Sequence, residues 1–272
     1  MQARPSRSTN RAICRSWSLK PPVLLIHGMW STPATFDRLR LVLEAAGHAT
    51  HAPCLLFHDR PACLPPHAAL GEISIVAYVD HLVAEAGKLG APPVILGHSM
   101  GSLLAQMVAV RIPHAGLVLL SPAPAANSQS LNLDQVRTLK NVVLKWGWWN
   151  SPTLFDEAGA RWGCFNGVPD DVAAVEISRL VWDSGRVLAQ MALPQLYDNV
   201  TRVDYARLTQ PALVVVGSED RTTPPGIARA TARQIAGVVD YHEWPGVPHW
   251  LFWGEVEQRL HTTVLDWLNR LA

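Results

Sequence analysis

Short runs of consecutive apolar residues alternate along the chain with longer segments in which apolar positions recur every three or four residues. The runs at 23–26, 94–96, 116–120 and 212–216 carry no charged side chain, which is typical of strands buried on both faces of a sheet. Weaker strands are predicted at 49–52 and 238–242. Strands that alternate with helices in this way predict an α/β fold, a mostly parallel sheet flanked by helices.

Amphipathic patterns predict the helices that cover this sheet. One begins at Pro33 and closes at Gly47, and another begins after Ser74, a residue suited to cap it. The segment 103–110 is almost wholly apolar and is expected in the core, whereas 254–271 is amphipathic and forms a closing helix.

About ninety residues between the strands at 116–120 and 212–216 contain no convincing strand pattern. Helices are predicted there at 131–146, 152–163, 169–183 and 186–197. Ligands bind outside the carboxyl ends of parallel strands, so an insertion at this point is expected to fold over the ligand site. The interpretation is a helical cap over residues 123–205.

Composition and charge narrow the class of protein. The chain has 272 residues, of which 49% are hydrophobic and 17% charged, a balance that excludes a disordered protein. The formal net charge is +1, without the clustered basic excess that nucleic-acid binding requires. Residues 1–20 are basic and contain no acid, which is typical of a flexible tail. The predicted α/β core therefore comprises residues 21–122 and 206–272.

Neither a membrane span nor a secretory signal is predicted. The uncharged stretches at 89–110 and 112–133 are interrupted by prolines and glycines, so neither is a continuous apolar span. The basic tail has no apolar segment of the kind a secretory signal needs. Four cysteines at irregular spacing, with no C-x-x-C, favour a reducing compartment, and we expect a cytoplasmic location.

The pentapeptide Gly97-His98-Ser99-Met100-Gly101 lies between a predicted strand and a predicted helix. A G-x-S-x-G sequence at such a junction forces the serine into a tight bend, where only glycines leave room on either side. The serine oxygen then projects at the N-terminus of the following helix, whose dipole favours a developing negative charge. The pattern predicts Ser99 as a nucleophile.

A nucleophilic serine needs a base, and the base needs an acid that orients it. His249 lies in a loop between the last strand and the closing helix, whereas the competing His242 falls within the predicted strand. Asp220 directly follows a buried strand and is the predicted acid. The sequence leaves Glu219, one position earlier, open as an alternative.

An oxyanion hole needs backbone N–H groups that point toward the nucleophile. His27-Gly28-Met29-Trp30 follows the first buried strand and precedes a helix, so its backbone can supply one donor. The N–H groups of Met29 and Met100 are the predicted pair.

These motifs, in this order and at these strand ends, resemble the α/β-hydrolase family over residues 21–272, and most of all its capped esterases and lactone hydrolases. The resemblance implies a triad of Ser99, His249 and Asp220 with no metal or organic cofactor. The predicted function is hydrolysis of a small-molecule carboxylic ester or lactone through an acyl-serine intermediate. Two alternatives stay open: carbon–carbon bond hydrolysis by the same triad, and a ligand receptor on the same fold.

Two clusters suggest further chemistry. Tryptophans of the predicted cap, together with Trp30, are candidates for an aromatic substrate pocket, namely Trp148, Trp149 and Trp182. Such a pocket would suit a bulky or cyclic apolar ester, a macrocyclic lactone among them, although the same side chains could be ordinary core. The segment 48–67 is rich in His and Cys, but its spacing does not match a compact zinc site, and no metal is expected.

Overall fold

The computed structural model describes residues 20–130 and 133–271. The predicted basic tail lies outside the described residues, apart from Lys20.

The central sheet is parallel throughout. The strands are β1 (Val23–Ile26), β2 (Thr50–His51), β3 (Val94–His98), β4 (Gly116–Leu120), β5 (Pro152–Thr153), β6 (Asp183–Ser184), β7 (Ala212–Gly217) and β8 (Val239–Trp244). Six of them form one sheet in the order β2-β1-β3-β4-β7-β8, and every neighbouring pair in it is parallel. Strands β1, β3, β4 and β7 are buried along their whole length, as their uncharged sequences predict.

Helices lie on this sheet and between its strands. They are α1 (Asp37–Ala45), α2 (Ile75–Ala86), α3 (Met100–Ala109), α4 (Leu133–Val143), α5 (Glu157–Gly163), α6 (Asp170–Ser178), α7 (Gly185–Ala192), α8 (Pro225–Gln234) and α9 (Gly254–Leu271). The Ser74 side chain caps α2 by accepting a hydrogen bond from the Ala77 N–H, as predicted. The α/β fold class is confirmed. The sequence patterns did not identify α8.

Between β4 and β7 the structure departs from the prediction: the helices predicted at 169–183 and 186–197 end earlier, at Ser178 and Ala192, and a pair of short strands forms. Pro152 does not open a helix, because Pro152–Thr153 pairs antiparallel with Asp183–Ser184 as a separate two-stranded sheet. Helix α5 begins at Glu157 instead, where the Asp156 carboxylate accepts a hydrogen bond from the Gly159 N–H at 3.0 Å. The aspartate at this N-cap satisfies a free amide of the first turn, which stabilises the start of the helix there. The predicted absence of strands in this segment is therefore wrong.

The hydrophobic core lies on both faces of the main sheet. Every residue of α3 is buried, and α9 places Leu260, Val264, Trp267 and Leu268 on its buried face. Within the described ranges, no helix combines the length and the apolar character needed to cross a membrane.

Candidate active site

Ser99 occupies the tight bend between β3 and α3. Its backbone has φ 55° and ψ −123°, a left-handed conformation that non-glycine residues rarely adopt. A Cβ on Gly97 would lie 2.1 Å from the Gly101 carbonyl oxygen, and one on Gly101 would lie 2.0 Å from the Ile26 carbonyl oxygen. Only glycine fits at both positions, so the spacing of the pentapeptide follows from the packing of this bend.

The loop after β1 approaches Ser99 closely. A Cβ on Gly28 would lie 3.1 Å from the Ser99 Cβ. Met100 is the first residue of α3, so its N–H has no partner within the helix. Met29, Met100 and Ser99 line one cavity. The structure thus brings together the nucleophile candidate and the two predicted oxyanion donors.

His249 and Asp220 form a buried pair. His249 Nδ1 lies 2.8 Å from Asp220 Oδ2, and both side chains are almost completely inaccessible to solvent. Ser99 and His249 line the same small cavity of about 50 Å³. The three residues singled out from the sequence therefore meet at the carboxyl edge of the sheet.

The two competing residues lie elsewhere. Glu219 is exposed. His242 lies within β8, where its Nε2 is 3.0 Å from Asp240 Oδ1 at the surface. Neither side chain is buried, whereas those of His249 and Asp220 are.

The carbonyl of His249 is held by two side chains that the sequence analysis did not single out for this purpose. His98 Nε2 and Ser121 Oγ each lie 3.2 Å from the His249 carbonyl oxygen. Burial, and secondarily the proximity of His249, lowers the pKa of His98 to about 3. The His98 ring is therefore neutral at ordinary pH, and its Nε2–H donates to that carbonyl.

The Thr223 side chain lies between Ser121, which bonds the His249 carbonyl, and the buried carboxylate of Asp220. Its hydroxyl lies 2.9 Å from Asp220 Oδ2, 3.1 Å from His249 Nδ1 and 3.0 Å from the Ser121 carbonyl oxygen. Its N–H donates to Asp220 Oδ1 at 2.7 Å. No sequence motif marks Thr223, and its position three residues after Asp220 was the one available signal.

Two cavities of unequal size meet at Ser99. The larger, of about 280 Å³, is lined mainly by aliphatic side chains of α4 and α7, among them Leu139, Leu188 and Met191. The smaller, of about 50 Å³, is bounded by His249, Phe155, Phe165 and Trp250. The site therefore has an extended apolar side and a restricted side next to the histidine.

The tryptophan expectation needs a correction. Trp30 lines both cavities, but Trp148, Trp149 and Trp182 line neither. The Trp182 indole donates to the Ala62 carbonyl, and Trp148 packs against Trp149 with ring centroids 6.2 Å apart. The number of tryptophans in a segment does not tell in which direction each side chain points, and these three rings contact other parts of the fold.

In the His- and Cys-rich segment 48–67, the histidine side chains contact different residues and do not converge on one point. His48 Nδ1 lies 3.0 Å from the Pro21 carbonyl oxygen, His51 pairs with Glu85, and His67 stacks on Phe57. Across 20–130 and 133–271, no group of three His, Cys, Asp or Glu side chains is placed to hold a metal ion.

Comparison with known proteins agrees with the geometry. Residues 23–260 match the model of the Alpha/beta hydrolase family. That range spans most of the chain, and the protein belongs to the α/β-hydrolase family.

Solved structures of low sequence identity share the fold. A monoacylglycerol lipase from Paleococcus ferrophilus is 20% identical with a TM-score of 0.68, over 93% of this chain and 97% of the lipase. A pyrethroid hydrolase from Sphingobium faniae is 17% identical with a TM-score of 0.70, over 92% and 97%. A methylesterase from Arabidopsis is 12% identical with a TM-score of 0.67, over 92% and 99%. Identities this low establish a common architecture.

Proposed function

We propose that this protein hydrolyses carboxylic esters through an acyl-serine intermediate on Ser99. The observation that carries the proposal is the buried His249–Asp220 pair, 2.8 Å apart, which shares a cavity with a serine held at φ 55° at the start of a helix. A strained serine beside an oriented imidazole is the arrangement that acyl transfer requires.

The reaction follows from the positions of these groups. Ser99 Oγ attacks the ester carbonyl carbon while His249 Nε2 takes up the hydroxyl proton, and the new oxyanion accepts hydrogen bonds from the Met29 and Met100 N–H groups. Asp220 stabilises the imidazolium through Nδ1. His249 then gives the proton to the departing alcohol, and water releases the acid by the same steps in reverse order.

The unequal cavities suggest which part of the ester lies where. Because His249 protonates the leaving alcohol, the alcohol has to lie on the His249 side, in the smaller cavity. The acyl chain then occupies the larger cavity between α4 and α7. We therefore propose an open-chain ester with an apolar acyl group and a small alcohol. The suggestion of a macrocyclic lactone depended on tryptophans that do not line this cavity, so it loses its basis.

Two isomeric esters test this assignment. Ethyl hexanoate and hexyl acetate have the same composition, but they place the long chain on opposite sides of the carbonyl. We expect a higher kcat/KM for ethyl hexanoate, measured by acid release in a pH-stat. A preference for hexyl acetate would reverse the assignment of the two cavities. Failure to hydrolyse any ester, together with no labelling by a fluorophosphonate, would refute the proposed function and favour a receptor. In cells, a cytoplasmic location stays a prediction.

A further inference from the structure

All three polar groups of Trp30 form hydrogen bonds with residues of the segment 123–205, here called the insertion. Trp30 follows Met29 and has φ 57°, a left-handed conformation that is an outlier for a bulky residue. Its N–H donates to Asp183 Oδ2 at 2.9 Å, its carbonyl accepts from the Val181 N–H at 2.9 Å, and its indole N–H donates to Thr153 Oγ1 at 3.2 Å. All three partners belong to the insertion. The conformation of the residue next to Met29 is thus determined outside the loop that carries it.

Asp183 is the centre of this contact. Its carboxylate is fully buried, lies 2.9 Å from His58 Nε2, and accepts hydrogen bonds from the Tyr78 hydroxyl at 3.0 Å and from the Ser184 N–H at 2.6 Å. Burial alone would raise the pKa of Asp183. The charge of His58, its hydrogen bond to the carboxylate and the N–H donors of Trp30 and Ser184 have the larger effect, and the pKa of Asp183 is lowered. Burial likewise opposes the charge of His58, but Asp183 outweighs it and raises the pKa of His58.

His27 fixes the start of the same loop. Its Nδ1 lies 2.9 Å from the Gly28 carbonyl oxygen, and its Nε2 accepts the Leu55 N–H at 3.1 Å. Burial, and then the charge of His58, lowers the pKa of His27 to about 3, so this ring is neutral and can both donate and accept. The loop between β1 and α1 is therefore held at His27 and again at Trp30.

We propose that Asp183 and Thr153 are positioning residues for the oxyanion hole. By holding Trp30, they keep the preceding Met29 N–H in the place where it can bind the oxyanion. This inference rests on the function proposed above. It assigns to the insertion a part in assembling the oxyanion hole, in addition to lining the larger cavity, while His58 and Tyr78 keep the Asp183 carboxylate in place.

Steady-state kinetics on ethyl hexanoate give the first readout. Asp183→Asn should lower kcat by about 10-fold or more and leave KM within about twofold, because an oxyanion donor acts in the transition state. Thr153→Val removes the acceptor of the Trp30 indole without changing any charge, and it should lower kcat to a smaller extent. Thr153→Ser keeps the hydroxyl and should restore the wild-type kcat. If Asp183→Asn does not fold, the Thr153 pair carries this test.

A trifluoromethyl ketone with a pentyl chain gives the second readout. Its adduct with Ser99 carries an oxyanion, so affinity for it should fall by about the same factor as kcat/KM in each variant. Val79→Ala is the control for lost stability, since Val79 is buried on α2 next to Tyr78 in sequence and its side chain has no polar atom that could bond Asp183. A loss of kcat in Val79→Ala equal to that in Asp183→Asn would mean a merely structural effect and overturn the inference.

Hydrogen exchange at the Trp30 amide needs no substrate, and it separates this inference from the proposed function. We expect faster exchange in Asp183→Asn and Thr153→Val than in the wild type and Thr153→Ser. If the wild type hydrolyses no ester but exchange at Trp30 responds in this way, the hold on the loop stands and the proposed function fails. If the enzyme is active and neither exchange nor kcat changes in the variants, the inference fails alone.

Discussion

Replacing Asp220 by asparagine perturbs one oxygen of a fully bonded carboxylate. Asp220 Oδ1 accepts the N–H groups of Thr222 at 3.0 Å and Thr223 at 2.7 Å. Asp220 Oδ2 faces His249 Nδ1 at 2.8 Å and the Thr223 hydroxyl at 2.9 Å. An asparagine has one acceptor oxygen and one donor nitrogen, so these neighbours decide which way its amide points.

The two backbone donors fix the orientation of the new amide in Asp220→Asn. Two N–H groups at the Oδ1 position require an acceptor, so the amide oxygen must lie there and the amide nitrogen must face His249 Nδ1. That nitrogen donates, and Nδ1 becomes the acceptor. The proton of the neutral imidazole then resides on Nε2, where it blocks the uptake of the Ser99 proton.

The size of the effect follows from this wrong tautomer. In serine proteases the equivalent substitution lowers kcat by about 10⁴-fold, which corresponds to about 5.5 kcal/mol of transition-state stabilisation. We expect a loss of this size in kcat for Asp220→Asn on ethyl hexanoate, with KM nearly unchanged. The fold should persist, because the substitution conserves volume and the contacts at Oδ1.

The matched control is Glu219→Gln, one residue earlier and exposed. It should alter kcat by less than about threefold, because substitutions of exposed side chains that take part in no buried hydrogen-bond network have small effects. Both variants are assayed by pH-stat, and circular dichroism melting checks that they are folded. A loss of kcat below about tenfold in Asp220→Asn, or a loss in Glu219→Gln larger than that in Asp220→Asn, would refute the assignment of Asp220 as the acid that orients His249.

Three further changes test separate parts of the site. Ser99→Ala should abolish fluorophosphonate labelling and reduce ester hydrolysis to the residual rate that the oxyanion hole supports, and a retained acyl-enzyme burst would contradict it. Val136 lines the larger cavity and is 61% exposed, so Val136→Trp should lower kcat/KM for hexanoate esters more than for acetates, with Val136→Ala as control. Burial lowers the pKa of His27 and His98 from 6.5 to about 3, so the unfolded chain binds protons there that the native state does not. The free energy of unfolding should therefore fall by about 1.4 kcal/mol per pH unit for each histidine as the pH drops from 6.5 towards about 3, and His98→Gln should remove one of these increments in urea titrations.

The features that could be predicted from sequence are those whose cause is local. Uncharged apolar runs identified the buried strands, and helix α9 begins and ends where its periodicity predicts. The bend at Ser99 was predictable because the clash at Gly97 is with Gly101, within the same pentapeptide, although the clash at Gly101 is with Ile26 of the neighbouring strand β1. Asp220 and His249 were predictable because each lies in a loop at the carboxyl end of a predicted strand.

The remainder depends on pairings between distant segments. Asp183 meets Trp30, 153 positions away in sequence, and Tyr78, 105 positions away. No periodicity or spacing links an aspartate in the insertion to a histidine in a distant loop, so His58, within the His- and Cys-rich segment 48–67, had no predicted partner. The same holds for the tryptophans of the insertion, where composition gave the apolar area but not the direction in which each ring points.

The insertion links the position of the Trp30 N–H to the shape of the larger cavity. Ser184 follows Asp183 directly, and its hydroxyl caps α7 by accepting the Val187 N–H at 3.2 Å. Helix α7 then places Leu188 and Met191 in the wall of the larger cavity. The segment that fixes the Trp30 N–H is therefore continuous with the helix that shapes the proposed acyl site. Substitutions that displace α7 to admit a larger acyl group should consequently change kcat as well as KM, because the displacement is transmitted to Asp183 within a few residues.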